Sequence, residues 1–114
     1  MNKYRDKSDF EINKEVVKLI KTKGGYSCVD YDEIVKVYVS KNTGIYKEFD
    51  PCNNPADAMP IIIDNKISLR ATSITDRWKA EFVDEYGNYV GYLRALNKNP
   101  YRAAMEIFLM MKNG

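Results

Sequence analysis

The sequence of 114 residues contains no histidine. That absence removes Ser-His-Asp and Cys-His catalysis, His-ligated zinc and imidazole acid–base chemistry. Cysteine is scarce as well. Cys28 and Cys52 show no Cys-x-x-Cys spacing, and no N-terminal apolar run resembles a signal peptide. Both observations point to a reducing, cytoplasmic setting with two free thiols. The longest strongly apolar stretch, Ile107 to Met111, falls far short of the roughly 20 residues that a bilayer span needs, so no membrane placement is expected. Nor is there an excess of one charge: 18 Lys or Arg stand against 16 Asp or Glu, a net +2. So small a surplus supplies no general drive toward nucleic acid or an anionic surface.

What is present fits one folded unit. With 45% apolar and 30% charged residues, residues 1–114 can build a single domain with one modest core. There is no internal repeat, low-complexity segment or linker.

The stretch from Phe49 to Ile63 organises the rest. Asn54 before Pro55 suits a helix start, because the Asn side chain accepts an orphan amide and proline at the first helical position loses no hydrogen bond. Asp57 then falls in the first turn, where the helix dipole favours a carboxylate. The spacing predicts a helix from Pro55 to about Asp64, kinked or broken near Met59 by Pro60. Ile61-Ile62-Ile63 is expected in the core.

Upstream, Ser8-Asp9-Phe10-Glu11 matches a capping box. Ile12, Val16, Leu19 and Ile20 follow at helical spacing, and Gly24-Gly25 is the expected stop. The period then changes to two. Val35, Val37 and Val39 alternate with polar residues, and Asn42-Thr43-Gly44 can turn that strand into Ile45 to Phe49. A shorter strand is expected around Ser27 to Tyr31. Downstream, strands are expected over Lys66 to Ala71, over Arg77 to Val83, and from Tyr89 to Ala95 after a Gly87-Asn88 turn. Asn99-Pro100 opens a last helix running to about Lys112, apolar over most of its circumference and therefore deeply buried. The fold expected is α+β, one antiparallel sheet of four to five strands packed by three helices, with an α-β-α sandwich as the variant.

Four groups of residues could carry chemistry. Asp50, Asn53, Asn54 and Asp57 gather oxygen atoms, but their spacing matches no calcium loop and each has a role in a turn or cap. Cys52 would need activation by a helix dipole or a nearby cation, since no histidine exists; a small buried residue is the simpler reading. Asp30, Asp32 and Glu33 suit a solvated turn between strands as well as an acid–base pair. The fourth group is aromatic and basic: Tyr86, Tyr89 and Tyr92 precede Arg94, with Lys98 and Arg102 beyond. Such a surface can stack on single-stranded nucleic acid or form a protein–protein patch, where Tyr and Arg are enriched. Tyrosines that merely cap the edge of the core would look the same in sequence. No set of residues implies a cofactor or a metal.

Three blocks carry a resemblance. They are Ser8-Asp9-Phe10-Glu11-Ile12-Asn13-Lys14, then Phe49 to Ala58 with Pro60-Ile61-Ile62, and Asn99-Pro100-Tyr101-Arg102-Ala103-Ala104-Met105 closed by Phe108 to Met111. Together they resemble the NinX-like family of phage and prophage proteins, whose function is unknown. The chain departs from that family in carrying Met59 where Trp is usual, and residues 70–97 match only loosely around Trp78. The resemblance implies a small phage or prophage protein acting in the bacterial host's cytoplasm, and it implies no reaction. With no catalytic constellation present, the expectation is an accessory protein that binds a host or phage protein through Tyr86, Tyr89, Tyr92, Arg94 and Arg102. Weak single-stranded nucleic-acid binding is the alternative, and an enzyme comes third.

Overall fold

Helix α1 (Asp9–Leu19) begins as its capping box requires. The Glu11 amide donates to Ser8 Oγ at 3.1 Å and the Ser8 amide donates to Glu11 Oε1 at 3.2 Å. These bonds, the one from the Ser8 backbone first, hold the Glu11 carboxyl below its ordinary range. The helix stops well before Gly24-Gly25, because Ile20 turns to an extended conformation. The two glycines serve the next element instead. Gly25 takes a left-handed φ of 83°, and a Cβ on Gly24 would come within 2.6 Å of the Tyr38 carbonyl oxygen.

The computed structural model describes residues 2–22, 24–73, 76–83 and 89–113, with backbone only for 83 and 89–93. After α1 come β1 (Tyr26–Val29), β2 (Ile34–Tyr38), β3 (Tyr46–Glu48), α2 (Pro55–Asp64), β4 (Ile67–Ala71), β5 (Trp78–Val83), β6 (Tyr89–Asn97) and α3 (Pro100–Asn113). The expected Gly87-Asn88 turn lies outside the described residues.

The strands form two antiparallel sheets of three, β1-β2-β3 and β4-β5-β6, in place of one sheet of four to five. The fold is α+β, with three helices as expected. The division has a local cause. The turn at 51–53 and the whole of α2 separate β3 from β4, and each sheet has its own helix: α1 packs on β2, while α3 packs on β4, β5 and β6. Neither sheet needs the other to cover its apolar face.

α2 starts on Asn54, whose Oδ1 accepts from the Ala56 amide at 3.0 Å. It runs through Pro60 as one helix, so the break considered there does not occur. Proline removes only the bond to the Ala56 carbonyl, and both residues are exposed, so water can take the freed oxygen. Ile61 and Ile62 are buried but Ile63 is not.

α3 is the central element, buried without interruption from Arg102 to Met110. It lies against all three strands of the second sheet and also touches α1 and α2. Ala103 and Ala104, both fully buried, let its first turns approach closely. The ends of the described chain meet beside it: Asn113 Nδ2 donates to the Tyr4 hydroxyl at 3.2 Å, and Asn2 Nδ2 to Glu106 Oε1 at 2.6 Å. No helix among the described residues is long and apolar enough to cross a membrane.

Candidate functional site

Two places gather polar side chains, and Arg102 belongs to the first. Its position two residues into α3 points it toward the N-terminal segment, where it is buried at 6% exposure. Nε donates to Glu106 Oε2 at 2.7 Å, one helical turn on, and Nη1 to Asp9 Oδ1 at 2.6 Å. Nη2 reaches the carbonyl oxygens of Lys7 at 2.6 Å and Tyr4 at 3.0 Å. Burial pulls the guanidinium pKa down, but the hydrogen bonds to Asp9 and Glu106 outweigh it and leave the group above its ordinary value. Arg102 is therefore a structural tie, not part of an exposed patch with Arg94.

The 50–54 turn closes the same network. Asn13 Nδ2 donates to Asp50 Oδ1 at 2.8 Å, and the Cys52 amide donates to Asn13 Oδ1 at 3.2 Å. Asn99 caps α3 by accepting from the Tyr101 amide at 3.0 Å, while its Nδ2 donates to the Cys52 carbonyl at 2.5 Å. Asp57 accepts from the Asp50 amide at 3.0 Å and pairs with Lys47 at 3.4 Å. Every oxygen-bearing side chain that could have suggested a cation here is thus engaged in a turn or a cap. Cys52 is fully buried, and burial, then the nearby Asp9, pushes its thiol far above the ordinary range. So high a pKa denies it thiolate character at neutral pH. Cys28 is half-buried and also raised, chiefly by burial. Both thiols are free. Asp30, Asp32 and Glu33 are exposed in the turn from β1 to β2, as a solvated turn requires.

The second place is the face of the β4-β5-β6 sheet turned away from α3. Pleating sends alternate residues to opposite faces. Ile67, Ala80 and Ala95 are buried on the α3 side, so Glu81 and its neighbours Ser68 and Arg94 face outward, as do the paired Arg70 and Lys79. Glu81 is only 2% exposed. Arg70 Nη2 stands 3.4 Å from its Oε2, and Lys79 Nζ 3.1 Å from its Oε1. The Lys79 contact is a charge pairing outside hydrogen-bond geometry, since Oε1 has no hydrogen-bond donor among the described residues. Arg94 is exposed beside this group, and Leu96, opposite Lys79, is 42% exposed. Among the described residues, three cations accompany one carboxylate on this face and make that part of it basic.

Of the residues singled out from sequence, Arg94 lies on this face. Tyr89 and Tyr92 lie on the same strand with their side chains outside the described residues, and Tyr86 lies outside them altogether. Arg70, Lys79 and Glu81 were missed. The signal that could have found them is Lys79-x-Glu81 at strand spacing, laid beside Ser68-x-Arg70 on the neighbouring strand.

A family model described as Bacteriophage P22, NinX matches residues 3–112. The chain belongs to this family. No curated protein and no solved structure matches it. The three sequence blocks that resemble NinX-like proteins meet in space: Asp9 and Asn13, the 50–54 turn, and Asn99 with Arg102 form one hydrogen-bonded joint. In this NinX chain, then, those blocks build the joint between three helix starts, and the basic sheet face lies apart from them.

Proposed function

We propose that this NinX-family chain is a non-enzymatic interaction module of a phage or prophage, acting in the cytoplasm of the bacterial host. It binds an acidic patch on a host or phage protein through the outer face of the β4-β5-β6 sheet. The observation that carries this reading is the arrangement of Arg70, Lys79 and Arg94 around the buried Glu81, with Leu96 as an apolar neighbour. A carboxylate held by Arg70 and Lys79 fixes where these cations stand, and arginines so placed are efficient contact residues. Tyr89 and Tyr92 belong to β6, the strand that carries Arg94, and with Tyr86 they remain part of the proposed contact set. The raised thiol of Cys52 and the lack of histidine favour binding over catalysis.

The same basic face also suits single-stranded nucleic acid, and one experiment separates the two. Tagged wild-type protein and an Arg70→Glu/Arg94→Glu variant are used to capture partners from phage-infected cells, with and without nuclease, and read by mass spectrometry. The expected result is a nuclease-resistant partner held by the wild type and lost by the variant. Partners that vanish with nuclease, and binding to single-stranded DNA that weakens with salt, replace the protein reading with nucleic acid. Capture indifferent to both substitutions removes this face from the function.

A further inference from the structure

α2 shows an apolar side to solvent. Ala56, Met59, Pro60 and Ile63 recur three and four apart, which places them on one side of the helix. Met59 is 38% and Ile63 63% exposed, while Asp57, Ala58, Ile61 and Ile62 form the buried side. A helix that is apolar on its outer as well as its inner side is built to be covered on both. Beside it runs a groove of about 430 Å³, walled by α2 on one side and by Ile20, Lys21, Lys47 and Phe49 on the other. The groove continues into a hollow of about 330 Å³ over Val37 and the 56%-exposed Val39.

Its two walls differ in charge. Lys21 and Lys47 stand on one, Asp57 and Asp64 on the other. Lys47 and Asp57 bridge the groove at 3.4 Å. Lys21 and Asp64 make no ion pair among the described residues.

We propose that a second copy of this chain occupies the groove, as a two-fold dimer in which each α2 packs its apolar side into the other protomer's groove and Lys21 meets the partner's Asp64. A foreign partner of one charge sign would meet a like-charged wall. A two-fold axis along the groove instead sets each basic wall against an acidic one and seats the apolar side of each α2 in the groove of the other protomer. The interface lies on α2 and the first sheet, so it leaves the basic face of the second sheet free and presents that face twice. Two copies of one binding face on a rigid dimer raise avidity for a repeated partner.

The test is sedimentation equilibrium of the full chain at concentrations up to about 1 mM. The wild type is expected to dimerise reversibly. Ile63→Asp, an exposed position whose substitution leaves the core intact, is expected to give a monomer with unchanged circular dichroism. Lys21→Glu, which removes the contact twice in a two-fold dimer, is expected to weaken it by about two- to thirty-fold, and Lys21→Glu with Asp64→Lys to restore it. A wild-type chain that stays monomeric throughout, or a dimer indifferent to Ile63→Asp, overturns the proposal.

Discussion

The Arg102 guanidinium joins parts of the chain that are nearly a hundred residues apart, donating to Asp9, Glu106 and the carbonyls of Tyr4 and Lys7. Asp9 is 45% exposed at its side chain and can turn to water if the cation is lost, but Glu106 is fully buried and cannot. Breaking a buried pair from one side costs about 3–5 kcal/mol, since the remaining charge is left without compensation. Arg102→Met is therefore expected to lose about that much in urea unfolding, and Arg102→Met with Glu106→Leu to lose clearly less. Arg102→Lys should not restore the wild type, because one ammonium cannot serve a carboxylate on each side and two carbonyls. In sequence this residue stands eight positions after Arg94, and proximity in the chain suggested one shared patch. The reversal from β6 into α3 sends the two side chains apart, and nothing local to position 102 names Asp9, 93 residues upstream, as its partner.

Among the elements, the starts were the easiest to read and the partners the hardest. Ser8, Asn54 and Asn99 each sit at the head of a helix because capping is a matter of two to four neighbouring residues. All six strands likewise fall within a residue or two of the spans expected from sequence. Which strands share a sheet depends on contacts between distant segments, and here the sequence pattern of α2 misled. Three isoleucines in a row read as core, yet a helix can turn only two of them inward, and Ile63 faces out. α3 offers the opposite case. Its apolar circumference announces deep burial, and Ala103 is fully buried in the helix that packs on the second sheet. Ala103→Leu should then overfill the site, with a loss of about 1–3 kcal/mol seen as a lower thermal midpoint. An unchanged midpoint would mean that this turn of α3 has room to spare.

At the scale of the molecule the two sheets are not held alike. α3 covers β4, β5 and β6 together, whereas the first sheet meets the remainder chiefly through α1 and ends in a fully exposed β3. Local opening is easiest where few apolar contacts must be broken. Hydrogen exchange should accordingly show the amides of Val37 and Lys47 exchanging faster than that of Ala80 in the central strand of the second sheet. Equal protection in the two sheets would show that they open as one unit.

The meeting of the N-terminal segment with α3 also bears on the order of events in synthesis. Arg102 ties together Asp9 and the carbonyls of Tyr4, Arg5 and Lys7, and the Cys52 carbonyl waits for Asn99. Residues 4 to 9 are thus completed by a residue 93 to 98 positions further along the chain, contacts of very long sequence separation. A ribosome-bound chain that lacks α3 therefore holds an uncovered second sheet and an unfinished joint, and this fold closes only after α3 has emerged.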